Sequence, residues 1–408
     1  MQALDYSSIR AQFPIFTNRP ELVYLDTAAS SQTPKAVLDT LKQMYTMHYS
    51  NVHRGVYDLT GESTSKLEAA RKTIQAFINA GSSYEVVCST GCTNGINAIA
   101  QSVIQPQLQP GDVIVLSILE HHSNIVPWQI IAKKTGAIIK WVHCNAQGTL
   151  DQQQYQQHLK DGNVKVVALT GQSNVLGVKP PIKIMTDQAH QHDAFVLIDA
   201  AQLALHTPID VQALGCDALV ASSHKLYGPT GAGVLYLAEK HHNNVNPAVG
   251  GGNMIGEVTI DYFTLADMPA CLEPGTPPFV QIVGFGSALT WMQENDFANW
   301  PEHEQQLVSH AYAELNNIEE IAILGPSKPA ENFGNISFTI KGVHAHDVTD
   351  LLGQQGVCLR AGHHCAQPLH DHLGVTASSR MSFGIYNTLE DIDKCIHALK
   401  DIIVKWNT

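Results

Sequence analysis

Between residues 85 and 223 the chain carries six short apolar runs that do not alternate with polar residues. They are EVVCS (85–89), DVIVLS (112–117), AIIKWVH (137–143), VKVVALT (164–170), AFVLID (194–199) and DALVASS (217–223). A strand wet on one face alternates with period two. A run that is apolar at nearly every position is built for burial on both faces, as in a parallel sheet covered by helices. Helix-length segments separate several of these runs, at Thr93–Gln105, Ile125–Thr135 and Ile182–His192. The pattern is α/β, with right-handed crossovers. Two glycine-rich segments, GPTGAG (228–233) and VGGGN (249–253), mark turns where backbone comes close to something else.

After about residue 290 the rhythm changes to helix, strand, strand, helix. The stretch WMQENDFANWPEHEQQLVSHAYAELNNI reads as one or two helices and NISFTI (335–340) as a strand. HDVTDLLGQQG reads as a helix closed by Gly356, and DIDKCIHALKDIIVKW as an amphipathic terminal helix. A chain of 408 residues exceeds what one compact core usually holds. The expected division is a large domain over 21–290 and a smaller α+β domain over 291–408, with residues 1–20 packing on the latter.

Charge and composition exclude several classes of function. A formal net charge of −13 disfavours nucleic acid and anionic membranes, which reward clustered Lys and Arg. No stretch approaches the roughly 20 apolar residues of a membrane helix. The opening MQALDYSSIRAQFPIF has an acid at Asp5 and no apolar run, unlike a secretory signal. A cytoplasmic protein is expected. The eight cysteines form no C-x-x-C pair, and no His or Cys set completes four ligands, so neither disulfides nor a metal is expected.

Chemistry concentrates around two strand ends. Asp199 closes one apolar run and Lys225 follows the next, in DAAQ (199–202) and SSHKLYGPTG (222–231). That pairing meets the needs of pyridoxal phosphate: a carboxylate to keep the pyridine nitrogen protonated, and an amine to form the imine. Desolvation and nearby cations would lower the pKa of Lys225. Both residues come from the ends of strands where open α/β sheets bind ligands. Ser222 and His224 offer donors to a phosphate. STGCTNGIN (89–97) runs from strand to turn to helix, so its backbone N–H groups and the Thr93 hydroxyl form an anion site. In EHHSNIVPW (120–128), His121 is placed to stack on the ring and shuttle protons, because imidazole titrates near neutrality. His122 reads as a solvent-facing residue at a helix start. These residues alone leave open an aminotransferase, a kynureninase-like hydrolase and a non-catalytic protein that keeps the fold. The segment RAGHHCAQP (360–368) argues against transamination, which needs no cysteine.

The motifs YLDTAA (24–29), NVHRGVYDL (51–59), EHHSNIVPWQ (120–129), SNVLG (173–177), SSHKLYGPTGAGVLY (222–236), GGGNMI (250–255), LEPGTPP (272–278), RAGHHCAQPL (360–369) and YNT (386–388) follow one another along the whole chain. In that order they resemble the group II cysteine desulfurases, the SufS and CsdA branch of fold type I pyridoxal phosphate enzymes. GQSN before Val175, and LGVT after RAGHHCAQP, lean toward the CsdA, cysteine sulfinate desulfinase, type.

The resemblance implies roles residue by residue. Lys225 matches the Schiff-base lysine, Asp199 the pyridinium partner, Gln202 the donor to the phenolic oxygen and His121 the stacking histidine. Thr93, Ser222 and His224 match phosphate contacts, and Thr276 matches one supplied by the other subunit of a homodimer. Asn174 and Arg380 match residues that hold the substrate carboxylate. Arg360 and His53 are placed on the substrate side as well. Cys92 stands where the family more often has a hydroxyl, with its backbone donor still available. Ala200 replaces a Gly, and Pro278 an Asn.

Cys365 matches the sulfur acceptor. Pro368 sets it on a loop just ahead of a helix, whose positive end would favour thiolate together with Arg360 or a protonated His363 or His364. The implied reaction converts L-cysteine to alanine. Lys225 removes the Cα proton and the Cys365 thiolate attacks Sγ. Cysteine sulfinate and selenocysteine are alternative substrates. Only four residues separate Arg360 from Cys365. The loop is therefore short, and a small acceptor protein of the SufE or CsdE kind is expected to reach in for the sulfur.

Overall fold

The computed structural model describes residues 6–295 and 297–406. Residues 1–5, including Asp5, and Asp296 within WMQENDFANW lie outside the described residues. All six apolar runs become strands of one seven-stranded sheet. Its order is Val86–Ser89, Gly233–Leu237, Ala218–Ser222, Phe195–Asp199, Val164–Thr170, Val113–Ser117 and Ile138–Val142. The last five are mutually parallel, and Gly233–Leu237 runs antiparallel to both its neighbours. Ser89, Ser117, Thr170, Asp199 and Ser222 therefore end on one edge of the sheet.

Five of the seven strands are buried at every residue, which is why their sequences do not alternate. Ile138–Val142 departs from that reading. It is one of the two edge strands, and Ile138 is exposed. Gly233–Leu237 is a strand the sequence reading left unassigned, because its first residue belongs to a glycine-rich turn. The segment expected as a helix over 93–105 begins at Cys92 and is α-helical to Ile99. It widens to a π turn over Ala100–Ile104 and ends as a 3-10 turn containing Pro106. Proline removes an N–H and disfavours helix in the residue before it, so regular geometry stops there.

A second, antiparallel sheet has the order Ile321–Leu324, Asn335–Ile340, Ser378–Ser382, Arg360–Gly362. Helix Ala345–Gly353 packs beside it, and helix Leu389–Trp406 packs on that helix. Val23–Tyr24 pairs in parallel with Val357–Cys358. Arg10 binds Asp391 at 2.8 Å and the Tyr386 carbonyl at 2.8 Å, tying the early chain to the late one. The helix Phe279–Glu294 packs against Lys35–Met47 and Asp58–Phe77. Gly286 permits this approach, since a Cβ there would lie 2.8 Å from that of Ala70.

One buried ion pair fixes the stretch leading to Thr276. Arg71 donates from two nitrogens to Glu273, at 2.6 and 3.1 Å, and the Cys88 N–H donates to the same carboxylate at 2.6 Å. A guanidinium fork on a carboxylate satisfies both partners, which a buried pair needs if it is not to be destabilising.

Candidate active site

A cavity of about 200 Å³ opens at the shared edge of the large sheet. Strand ends deliver Thr170, Asp199 and Ser222 to it, and the 3-10 turn Ser223–Lys225 carries Lys225. The helix Cys92–Ile99 points its first residues at the same space. The second sheet contributes Arg360 and Arg380, and the loop after Gly362 contributes His364 and Cys365. Of the site residues expected from the sequence, Cys92, Thr93, His121, Asn174, Asp199, Gln202, Ser222, His224, Lys225, Arg360, Cys365 and Arg380 line this one cavity.

His53 and Thr276 do not. His53 is exposed, and its ring meets Glu68 at 3.2 Å on the surface. Within this chain it therefore lies apart from the cavity. Thr276 is exposed and lies outside the cavity.

Burial lowers the pKa of Lys225, and Arg380 adds to that, while Cys92 and Asp199 oppose it. A neutral amine is favoured accordingly, which is the form that acts as nucleophile or base. Burial raises Asp199, opposed by the Ala201 N–H, which donates to it at 2.9 Å, and by Lys225. Cys92 is buried, and its N–H donates to Ser222 Oγ at 2.9 Å. Burial and then Asp199 raise its thiol, so it stays protonated. The Gln202 amide donates to the Ala28 carbonyl at 2.9 Å. The Ser31 N–H and hydroxyl both donate to the His224 carbonyl, at 2.8 and 2.9 Å, fixing the turn before Lys225.

Arg380 is 2% exposed. It donates to Asp26 at 2.9 Å and to the Asn174 carbonyl at 3.1 Å, while its Nε has no partner. Burial raises Asp26, opposed mainly by Arg380. Arg360 sits 4.0 Å from the other Asp26 oxygen. Two guanidinium groups beside one carboxylate leave net positive charge, suited to an anionic substrate group.

Two histidines depart from expectation. Burial, followed by Lys225, lowers His121 to about 3, so the ring is neutral at physiological pH rather than titrating there. Burial and Arg380 lower His364 to about 2. A protonated His364 therefore does not assist Cys365; its Nε2 pairs with Ser378 Oγ at 3.0 Å instead. His122 is also engaged, rather than free in solvent. Its Nε2 accepts from the Gln367 N–H at 3.0 Å, and its backbone N–H donates to the Cys365 carbonyl at 2.7 Å.

Asp26 and Glu120 were not singled out from the sequence, although both lie inside quoted motifs. Glu120 is fully buried and accepts from Ser117 Oγ at 2.5 Å, Asn124 at 2.7 Å and the Thr170 N–H at 2.9 Å. Burial raises it to about 8 against those three donors. It joins the turn bearing His121 to the strand beside Asp199. An acid within an apolar-flanked motif was the available signal.

The aminotransferase class-V family model matches residues 23–395. A probable cysteine desulfurase of Vibrio cholerae is 41% identical over 399 residues, covering 97% of this chain and 98% of that protein. A cysteine desulfurase of Klebsiella pneumoniae is 41% identical over 398 residues, covering 97% of each. Among solved structures, the apo cysteine desulfurase of Thermococcus onnurineus superposes with a TM-score of 0.94 at 31% identity, over 99% of both chains. The cysteine desulfurase CsdA of Escherichia coli gives 0.90 at 36% identity, again over 99% of both. A fold built around one sheet edge, a buried Asp and a half-buried Lys at that edge, and likeness over nearly the whole length agree: the chain belongs to the aminotransferase class-V family.

Proposed function

We propose that this chain is a pyridoxal phosphate-dependent cysteine desulfurase that takes the sulfur of L-cysteine onto Cys365 and releases L-alanine. The observation that carries the reading is the exposed thiol of Cys365 on the wall of the same cavity that holds half-buried Lys225 and buried Arg380. The names of the relatives point the same way.

The residues fit the cofactor. Gly91 precedes the helix Cys92–Ile99 at φ 141°, a conformation side chains rarely adopt, and a Cβ there would lie 3.3 Å from Ser222 Oγ. Bare backbone beside a hydroxyl at a helix start suits a phosphate, with Thr93, Ser222 and His224 as further donors. Asp199 would hold the pyridine nitrogen, Gln202 the phenolic oxygen, and His121, neutral, would lie on the ring face. Lys225 would carry the group. When bound, the cofactor supplies an electron sink for the carbanion formed at the substrate Cα.

The protein supplies the rest. Arg380 and Asn174 hold the substrate carboxylate, with Arg360 adding positive charge beside them. Lys225 takes the Cα proton, for which its lowered pKa suits it. The Cys365 thiolate attacks Sγ, so an S–S bond forms and the Cβ–S bond breaks with its electron pair returning to carbon. Protonation then releases alanine.

The wider setting is also proposed. A homodimer with shared active sites would let Thr276 serve the phosphate of a second copy. A small acceptor protein of the SufE or CsdE kind would collect sulfur from the short loop, for iron–sulfur cluster assembly or another sulfur pathway. A cytoplasmic location accords with this. Among the described residues, no helix is long and apolar enough to cross a membrane. The division into a large unit over 21–290 and a smaller one over 291–408 accords with the seven-stranded sheet lying in the first range and the four-stranded sheet in the second, with Val23–Tyr24 pairing across to Val357–Cys358.

The test compares wild type and Cys365→Ala on L-cysteine and on cysteine sulfinate, with a thiol reductant present. Loss of activity on cysteine alone supports the reading. Full retention on cysteine contradicts it.

A further inference from the structure

The loop that carries Cys365 is held in an uncommon shape. His364 and Cys365 have φ of 51° and 56°, two consecutive non-glycine residues in the left-handed region. Such a conformation is strained for a residue with a side chain and persists only where its surroundings over-determine it. Four hydrogen bonds do this. The Ala366 N–H donates to the His363 carbonyl at 2.8 Å, and Asn174 Nδ2 donates to the His364 carbonyl at 2.7 Å. The other two belong to His122. Its backbone N–H donates to the Cys365 carbonyl at 2.7 Å, and its Nε2 accepts from the Gln367 N–H at 3.0 Å.

His122 thus grips the loop at the carbonyl of the thiol-bearing residue and again at Gln367, two residues on. It follows His121 directly, and His121 lines the cavity. The connection from the cavity wall to the Cys365 loop is a single peptide, with no slack. Gln367 opens the helix Gln367–Leu373, where the first N–H groups have no partner within the helix, so the imidazole takes the place of a capping side chain. To accept there, Nε2 must be unprotonated, which assigns the proton to Nδ1. Burial and neighbouring His363 both favour the neutral ring.

We infer that His122 is a positioning residue that aims the Cys365 thiol at the cavity, through its hydrogen bond to the backbone of the helix that follows. This rests on the reading of Cys365 as the sulfur acceptor. His122 itself does not line the cavity, so substrate binding and proton abstraction should not depend on its side chain.

The experiment uses holoenzyme carrying His122→Phe or His122→Gln. Phe keeps a ring of similar size but cannot accept a hydrogen bond; Gln keeps an acceptor. Alanine release is measured from L-cysteine with a thiol reductant and from cysteine sulfinate, whose sulfur leaves without thiol attack. One net hydrogen bond corresponds to about fivefold in rate. The expected result is a kcat on cysteine about fivefold lower for His122→Phe at unchanged KM, restored by His122→Gln to within about twofold. The rate on cysteine sulfinate and the cofactor's visible absorbance band stay at wild-type levels. An unchanged kcat on cysteine, or an equal loss on both substrates, overturns the inference. Cys365→Ala, assayed in parallel, tests the underlying reading separately, because full activity there removes the acceptor role whatever His122 does.

Discussion

Asn174 Nδ2 donates to the carbonyl of His364 at 2.7 Å, so a side chain facing the substrate space also anchors the loop bearing Cys365. The same side chain is proposed to hold the substrate carboxylate, beside Arg380, which donates to the Asn174 backbone carbonyl. Asn174→Ala is therefore expected to act twice on L-cysteine, raising KM and lowering kcat. On cysteine sulfinate only KM should rise. Steady-state kinetics on both substrates checks this, and a kcat loss equal on the two would contradict it.

Arg380 offers a planar fork, with two nitrogens already fixed by Asp26 and Asn174. Lysine at this place keeps the charge but loses the fork. Hydrogen bonds to charged groups contribute about 1.5–3 kcal/mol. Arg380→Lys should raise the KM for L-cysteine by about tenfold to a hundredfold. A KM within twofold of wild type would remove Arg380 from carboxylate binding.

The Arg71–Glu273 pair lies away from the cavity but is buried on both sides. Removing one partner leaves the other charge uncompensated. Glu273→Ala is expected to lower unfolding free energy by about 3–5 kcal/mol, measured by denaturant titration. A loss below about 1 kcal/mol would mean that the site relaxes or admits water.

Glu120 gives a pH prediction with a definite sign. Its folded pKa, about 8, lies above the ordinary carboxyl value, so the folded state holds a proton that the unfolded chain has lost. The stability tied to the protonated form is fully present below the unfolded pKa. It is lost as pH rises through about 8. Glu120→Gln cannot titrate. The stability difference between wild type and this variant should move in the variant's favour as pH rises from neutrality to about one unit above that pKa, by thermal unfolding. A difference constant with pH would show that Glu120 is ionised throughout.

Much of this was legible in the sequence. Runs such as VKVVALT became strands because apolarity at nearly every position has few other uses; that run matches its strand residue for residue, and the others differ by one residue at one or both ends. Asp199 and Lys225 were legible because strand ends are where such sheets bind ligands. What escaped depended on long-range contacts. Nothing near His122 in sequence reveals that it meets residues 365 and 367, since that contact joins strand-end turns from distant parts of the chain. The state of His121 and His364 escaped for a related reason: their depth of burial is set by elements far along the chain. His53 stands apart from this cavity, and motif order does not say whether a residue faces its own cavity.

The central claim is that Cys365 receives the sulfur. Intact-protein and peptide mass spectrometry after a single turnover of holoenzyme with L-cysteine, without reductant, tests it most directly. The account predicts one added sulfur on the peptide containing Cys365, in proportion to the alanine formed, and none on Cys365→Ala. Stoichiometric alanine with no sulfur added at Cys365 would contradict it.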